Sequence, residues 1–315
     1  MLPIALLEKF AANSSILVSA HELLDQTACQ LCPRLCGAHR AAGHIGVCGA
    51  GKSIRVARAA LHFWEEPPIS GRHGSGTVFF SHCPMKCIYC QNEPIARGNV
   101  GKDISQQRLS EIFCELQGQG AENINLVTPT HYVANILPAL KQARENGLSL
   151  PIVYNTSGYE RAEIIELVAP EVDIFLCDAR YASKKTAQAY SRAANYVEAF
   201  WGALEAMVQS DARIIVRILV LPGHIDEACK NIELLRHRYN NRIEFSIMGQ
   251  YTPLKTFEQF DNLSRRLRKD EYEQVLDFAD SLGIQDYFWQ DGDAAQESFI
   301  PDFYECAGVE KSHQA

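Results

Sequence analysis

The sequence has little that would assign its 315 residues to a membrane, secreted or nucleic-acid-binding class. No apolar run approaches the ~20 residues that a membrane span needs, and the best candidate, IIVRILVLPG, carries Arg217 in its middle. The N-terminus lacks a basic region before its short apolar stretch, so it does not resemble a signal peptide. There is no stripe rich in lysine and arginine, and the net charge of −8 argues against a non-specific nucleic-acid surface. These absences predict a cytoplasmic protein.

Cysteine is unusually abundant, with eleven in the chain and seven of them between residues 29 and 90. Those seven form two spaced groups, whereas Cys114, Cys177, Cys229 and Cys306 are scattered. An odd total with local clustering argues against a disulfide framework. It favours metal or iron–sulfur ligation in a reducing compartment.

Short β-branched runs alternate with helical patterns from residue 77 onward. The predicted strands are residues 77–82, 123–128, 151–156, 172–177, 212–222 and 242–248. The predicted helices follow them at residues 104–120, 132–146, 160–169, 186–209, 224–238 and 269–283. Strands that alternate with helices imply a parallel sheet with right-handed crossovers. Six such units predict an α/β fold built as a partial (β/α)6 barrel, in which the loops after the strands carry the chemistry.

Three parts are expected along the chain. They are an N-terminal leader with a Cys-rich metal-binding segment, the partial barrel and a C-terminal tail, at residues 1–58, 59–291 and 292–315. The region before the barrel strands divides into a helical leader, a compact loop rich in cysteine, glycine and histidine, and a turn-rich connector, at residues 1–28, 29–50 and 51–76.

The second cysteine group, Cys83, Cys87 and Cys90, has the spacing C-x3-C-x2-C and follows the strand run TVFF. Three thiolates this close together can hold three irons of a cubane 4Fe–4S cluster, which usually takes four cysteines. The fourth iron is then left open for a substrate or a cofactor. Zinc is the competing interpretation, but a closed zinc site needs four ligands.

The stretch SHCPMKCIYCQN resembles the signature of the radical S-adenosylmethionine (radical SAM) superfamily, C-x3-C-x-φ-C with an aromatic residue before the third cysteine. The QN that follows resembles the glycyl-radical-enzyme activases, notably the branch related to pyruvate formate-lyase activating enzyme. The similarity covers residues 58–92 and continues at INLVTPTHYV, YNTSGYE, FLCDARY and SIMGQYTPLK. The resemblance implies a radical SAM barrel and an oxidoreductase. It would reductively cleave S-adenosylmethionine on a 4Fe–4S cluster held by the second cysteine group.

The resemblance also implies contacts to the cofactor around the first two strands. Tyr89 would lie against the adenine, and the alternative is a half-buried loop aromatic. Many members of the superfamily place a GGE motif after the second strand, where this chain has TPTH. Thr128 and Thr130 would accept from the cofactor's amino group there. The alternative is a strand-to-helix turn with Thr130 as its N-cap.

Polar residues at three later strand ends are further candidates for cofactor binding. Asn155 and Ser157 would hold the ribose or the carboxylate of the cofactor, or would form an ordinary polar turn. Asp178 would contact the cofactor or substrate, or would pair with the neighbouring Arg180. Arg217 is a charge inside a central strand, so it must be paired. Its partner is either a carboxylate of the cofactor or substrate, or an Asp or Glu of the chain itself.

The first cysteine group has the spacing C-x2-C-x3-C-x11-C, at Cys29, Cys32, Cys36 and Cys48. Four thiolates make a complete tetrahedral set, which favours a structural zinc. The nearby His39 and His44 and the knuckle-like turns favour zinc as well. An auxiliary 4Fe–4S cluster uses the same four ligands and is the alternative.

Three functions compete. The first is an activase that passes the radical to a glycine Cα in a partner protein and takes electrons from a donor such as flavodoxin or ferredoxin. The second is a radical enzyme that acts on a small molecule or peptide. The third is a non-enzymatic binding module, with a zinc knuckle on an iron–sulfur scaffold. The resemblance of the cluster loop to the activases favours the first, and neither a membrane nor a nucleic acid is expected as a partner.

Overall fold

A nine-stranded mixed sheet forms the centre of the computed structural model, which describes residues 22–289 and 301–311. In chain order its strands β1 to β9 are Ile54–His62, Ser75–Phe80, Lys102–Ile104, Ile124–Val127, Ile152–Thr156, Ile174–Asp178, Arg213–Leu219, Glu244–Met248 and Tyr287–Trp289. Across the sheet they are ordered β3-β1-β2-β4-β5-β6-β7-β8-β9. Neighbours from β2 to β9 run parallel, whereas β1 is antiparallel to both β2 and β3.

The six central parallel strands, β2 and β4 to β8, fall on the six strands that the sequence predicts. Most of their residues are buried, as expected for parallel strands that are covered on both faces. Within the described residues the edge strands β3 and β9 do not pair with each other, so the sheet does not close. The α/β fold and the partial barrel are thereby confirmed. The sequence does not predict β1, β3 or β9.

The helices that accompany the strands, α1 to α9, are Pro67–Ser70, Glu93–Ala96, Gln106–Gly118, Val133–Glu145, Ala162–Val168, Lys184–Ser191, Tyr196–Val208, Ile225–Tyr239 and Lys269–Ser281. One helix prediction is wrong, because residues 186–209 do not form a single long helix. α6 ends where Arg192 adopts a left-handed conformation with a φ of 49°, and α7 begins at Tyr196. This break places a turn beside the second cysteine group.

Residues 51–76 are not the connector that the sequence predicts. They contain β1 and a segment between β1 and β2, residues 63–74, which we call the plug segment. Within it, Ile69 is fully buried against one residue from each of three adjacent strands, Val153, Leu176 and Ile215. Burial of one such side chain contributes about 1.5–3 kcal/mol. The plug segment is therefore part of the core and holds its polar residues against the sheet.

The segments outside the sheet follow the predictions in part. Residues 29–50 contain one short 3-10 helix, Arg40–Ala42, as a compact loop should. The predicted leader helix at 1–28 lies mostly outside the described residues. The C-terminal tail packs on β1, where Ala59 donates its backbone N–H to the Ala307 carbonyl at 2.9 Å. No helix in the described ranges is long and apolar enough to cross a membrane.

Candidate functional site

A polar cleft lies at the carboxyl ends of the parallel strands, where a barrel fold carries its chemistry. It encloses about 1080 Å³ of empty space, part of it open to solvent. Its wall combines the second cysteine group with polar residues from the strand ends: Cys83, Cys87, Cys90, Thr128, Asn155, Ser157, Asp178, Arg180 and Arg217. Most of the predicted site residues of the barrel therefore share one cavity.

The loop between β2 and α2 presents the second cysteine group to the cleft. It begins with His82, whose φ of 74° is a left-handed conformation that non-glycine residues rarely adopt. The His82 ring packs between Gly49 and Gly98, and a Cβ on either glycine would collide with it. Contacts from the N-terminal segment and from the chain after the loop thus fix where the loop begins.

The Cys83 and Cys90 thiols are costly to ionise without a metal. Burial raises the pKa of the Cys83 thiol and raises that of Cys90 to about 12. The Ser191 hydroxyl donates to Cys87 Sγ at 3.0 Å, and a guanidinium nitrogen of Arg180 lies 3.9 Å from the same sulfur. Three thiols that face one cleft, with Cys87 buried and the other two partly buried, fit a thiolate-bound iron–sulfur cluster, in which the irons supply the positive charge.

A single zinc ion and a cubane cluster need different arrangements of their cysteine ligands. No three His, Cys, Asp or Glu side chains within residues 22–289 and 301–311 close on a point where one ion would fit. A single zinc needs its ligand sulfurs at about 2.3 Å from one atom, whereas a cubane distributes its thiolates over different irons. This result is the same for both cysteine groups, so the number of thiols, three against four, is what favours a cluster at the second group.

Arg217 is paired by the chain itself, which is the alternative that the sequence leaves open. Its guanidinium donates to Asp178 Oδ1 at 2.7 Å, to Asn155 Oδ1 at 2.6 Å and to Glu65 Oε2 at 3.2 Å. Asp178 Oδ2 also accepts from Arg180 at 2.6 Å. Burial alone would lower the pKa of Arg217, but the carboxylates around it raise that pKa above its ordinary value. Arg217 is thus held by internal partners, and the predicted carboxylate of a cofactor or substrate is not needed to explain its burial.

We expect Arg217→Met to lower the free energy of unfolding by about 3–5 kcal/mol, because it leaves the Glu65 carboxylate buried without its cation and leaves Asp178 paired with Arg180 alone. Arg213→Ala is the matched control on the same strand. Arg213 pairs with Glu244 at 2.6 Å on the exposed surface, and its loss should cost no more than about 1 kcal/mol. Urea unfolding of the wild-type protein and the two variants measures both losses of unfolding free energy. Equal losses would contradict a buried, chain-held ion pair.

The two threonines of TPTH have different surroundings. Thr128 lines the cleft with a φ of 59°, a conformation that glycine adopts more easily. Thr130 is buried, and its hydroxyl donates to Glu160 Oε1 at 2.5 Å, as does that of Thr156. Burial raises the pKa of Glu160 to about 7. Thr128 therefore stays a candidate for cofactor binding, whereas the Thr130 side chain belongs to a buried network.

Tyr89 is not among the residues that line the cleft. Its ring packs edge-on against Tyr181, Tyr190 and Tyr251, with centroids 6.0 to 6.4 Å apart. Such T-shaped pairs add to the stability that burial gives. The neighbouring tyrosines cover the ring in this position, and its contact with the adenine stays a prediction.

The first cysteine group lies in a tight knuckle. Cys29 donates its backbone N–H to the Ala38 carbonyl at 3.1 Å, and Gly37 donates its backbone N–H to the Cys29 carbonyl at 3.1 Å. Leu35 and Gly37 adopt left-handed conformations with φ of 44° and 61°. These turns fold the chain back on itself, so that the Cys29 thiol lies close enough to those of Cys36 and Cys48 to interact with them electrostatically.

The thiols of this knuckle share a positively charged neighbour. Burial raises the pKa of Cys29 and raises that of Cys32 to about 12. Burial acts in the same direction on Cys36, but backbone N–H donors and the Arg40 guanidinium outweigh it and lower that pKa. Arg40 also donates to Cys48 Sγ at 3.3 Å. A fixed cation among buried thiols suits a set of metal-bound thiolates.

Several residues around the cleft and the two cysteine groups are not predicted from the sequence: Arg34, Glu65, Glu160 and Ser191. Glu65 comes from the plug segment, which the sequence assigns to a connector. A signal for it exists, because the alternation in IRVARAALH just before it is typical of a half-buried strand. Arg34 and Ser191 carry no local signal, since their contacts join distant parts of the chain.

Comparisons with known proteins bear on the same residues. Residues 77–235 match the family model described as the Radical SAM superfamily. The uncharacterized protein MJ0674 of Methanocaldococcus jannaschii is 26% identical over 266 residues, which cover 81% of this chain and 75% of that protein. A solved structure of HydG, a maturase of the FeFe-hydrogenase, aligns with a TM-score of 0.49 at 11% identity. That alignment covers 69% of this chain and 52% of the HydG chain, so this chain spans about half its length.

Proposed function

Since the chain belongs to the radical SAM superfamily, we propose that Cys83, Cys87 and Cys90 bind three irons of a 4Fe–4S cluster and leave the fourth iron open for S-adenosylmethionine. The observation that carries this proposal is that all three thiols line one cleft at the strand ends. When bound, the reduced cluster supplies the electron that cleaves the cofactor to methionine and a 5′-deoxyadenosyl radical, which takes a hydrogen atom from a substrate. The chain binds, orients and shields these groups.

Polar side chains at the strand ends would orient the cofactor. Thr128 and Ser157 line the cleft with the cysteines, and a hydroxyl can donate to a carboxylate or accept from an ammonium. Asn155 lines the cleft as well, with its Oδ1 already held by Arg217. Asp178 and Arg217 act by positioning, because their ion pair fixes the side chain of Asn155 beside the cofactor.

We also propose a second metal centre on the first cysteine group, Cys29, Cys32, Cys36 and Cys48. None of these cysteines lines the cleft, so the centre would be structural. Four thiolates satisfy either a zinc ion or a second 4Fe–4S cluster. Arg40, between the third and fourth cysteine, would offset part of the negative charge of either centre.

The substrate that we propose is a polypeptide, with the hydrogen atom taken from a glycine Cα of a partner protein. The resemblance of the cluster loop to the activases supports this substrate. The unclosed sheet supports it too, because the cleft is open to solvent and has room for a chain segment. A flavodoxin or ferredoxin would supply the electron, in a cytoplasm that keeps the eleven free thiols reduced.

Reduced protein supplied with S-adenosylmethionine should produce a doublet radical signal on a candidate glycyl-radical enzyme. Electron paramagnetic resonance measures the radical, and chromatography should find a matching amount of 5′-deoxyadenosine. A partner variant with its radical glycine replaced by alanine should give no doublet. Efficient turnover of a small molecule without any protein-borne radical would instead favour a radical enzyme that acts on a small molecule or peptide. A complete lack of 5′-deoxyadenosine would leave only a metal-binding module.

A further inference from the structure

Arg34 links the two cysteine groups. It lies between Cys32 and Cys36 in the N-terminal knuckle, and its guanidinium reaches across to the barrel. Its Nε donates to the carbonyl of Pro84 at 3.0 Å, inside the cluster loop. Its two terminal nitrogens donate to the carbonyls of Ser191 and the next residue at 2.9 and 2.5 Å. These three hydrogen bonds all end on the cluster loop or on the turn that follows α6.

The turn that Arg34 holds also contacts one of the proposed cluster ligands. The Ser191 hydroxyl lies 3.0 Å from Cys87 Sγ and 2.6 Å from the hydroxyl of Tyr181. A metal-bound thiolate has no proton to donate, so Ser191 must donate to Cys87 and accept from Tyr181. Arg192 has a φ of 49° in this turn, a strained conformation that surrounding contacts must maintain.

We propose that Arg34 is a positioning residue that keeps the Ser191 hydroxyl on Cys87 Sγ and thereby raises the reduction potential of the cluster. This inference rests on the proposed cluster at the second cysteine group. A hydrogen bond to a cluster sulfur stabilises the reduced form, because that form carries one more negative charge. The planar guanidinium suits this task, since its donors have fixed directions. The N-terminal metal centre would then influence the cluster through Arg34 without touching the cleft.

Three variants test the proposal in anaerobic protein with the cluster assembled. Arg34→Ala should shift the midpoint potential of the cluster to a more negative value. A redox titration monitored by electron paramagnetic resonance measures this potential. Arg34→Lys keeps the charge but loses the planar fork and should shift the potential in the same direction by a similar amount. Ser191→Ala removes the donor itself and should give at least as large a shift. The iron content should stay unchanged, because neither residue is a proposed ligand.

Arg161 provides the matched control. Its Nη1 donates to the Gln30 carbonyl in the N-terminal segment at 2.8 Å, and its other partner is Glu163. Arg161→Ala therefore loosens the same segment without releasing Ser191, and the potential should stay at the wild-type value. A variant that combines Arg34→Ala with Ser191→Ala should shift no further than Ser191→Ala alone, because both residues act on one hydrogen bond.

A wild-type potential in Arg34→Ala would overturn the proposal. So would a full shift in Arg161→Ala, or shifts that simply add in the double variant, since both results indicate a general loosening. A wild-type protein that never shows a cubane signal would sink the proposed function and this inference with it. A normal wild-type cluster with unshifted variants would sink the inference alone.

Discussion

Replacement of Cys83, Cys87 and Cys90 by alanine should abolish both the cubane signal and the formation of 5′-deoxyadenosine. Without its three thiolates the cluster has no protein ligand, and about four irons per chain should be lost. Production of 5′-deoxyadenosine should fall to the uncatalysed background, because the side chains of the protein cannot supply the electron that cleaves the cofactor. Iron analysis and electron paramagnetic resonance of protein reduced without oxygen measure both losses.

A variant with Cys114 and Cys229 replaced by alanine is the control for this experiment. Both thiols are partly buried on α3 and α8, and neither lines the cleft. This variant should keep the cubane signal and the activity, which shows that thiol number alone does not decide cluster content. A triple variant of the loop that retains a full-strength signal would place the cluster on other ligands.

The strands that carry the site are predictable because they are buried parallel strands. A strand covered on both faces needs a nearly unbroken apolar run, and β2 and β4 to β8 each have one. β1 is harder to predict because its alternation shifts by one residue at an irregularity between Val56 and Arg58. β3 and β9 have three residues each, too few for any periodicity to show.

The break between α6 and α7 is not predictable, because neither glycine nor proline marks it. The sequence across the break is SRAAN, and its residues tolerate a helix. Contacts from elsewhere decide the conformation, chiefly the hydrogen bonds from Arg34 to the carbonyls of Ser191 and Arg192. Tertiary contacts thus outweigh local helix propensity at the turn that faces the cluster loop.

The cysteine ligands are predictable because they are neighbours in sequence, whereas the polar wall of the cleft is not. Glu65 and Arg217 are 152 residues apart, and Arg34 and Ser191 are 157 apart. These pairs form only when the sheet and the plug segment come together. A charge within an apolar strand indicates that a partner exists, but the identity of the partner depends on the three-dimensional fold.

Alanine at Cys29, Cys32, Cys36 and Cys48 should remove a metal centre and open the segment around it, while the cluster in the barrel remains. Residues 29–50 contain only one short 3-10 helix, so the knuckle is held by local turn hydrogen bonds and not by a long helix or a sheet. In such segments metal binding supplies the folding free energy, about 10–16 kcal/mol for a structural zinc. Limited proteolysis should therefore cut this segment early, and electron paramagnetic resonance should still detect the cubane.

His39 and His44 supply the control for this change. Their rings lie edge to face within the same segment, with centroids 5.9 Å apart. Four thiolates already complete a tetrahedral set, so a variant with both histidines replaced by alanine should keep its metal and its resistance to protease. Loss of the metal in the histidine variant would instead assign a ligand role to one of them.

Metal analysis of the protein that lacks Cys83, Cys87 and Cys90 identifies the N-terminal centre. About one zinc per chain indicates a knuckle, and about four irons with sulfide indicate a second cluster. The absence of both metals would contradict the proposed centre. If the centre is a zinc knuckle, addition of zinc to metal-free protein should slow proteolysis of residues 29–50, because metal binding and local folding are coupled. If the centre is a cluster, zinc alone should have no such effect, and the same protection should require iron and sulfide.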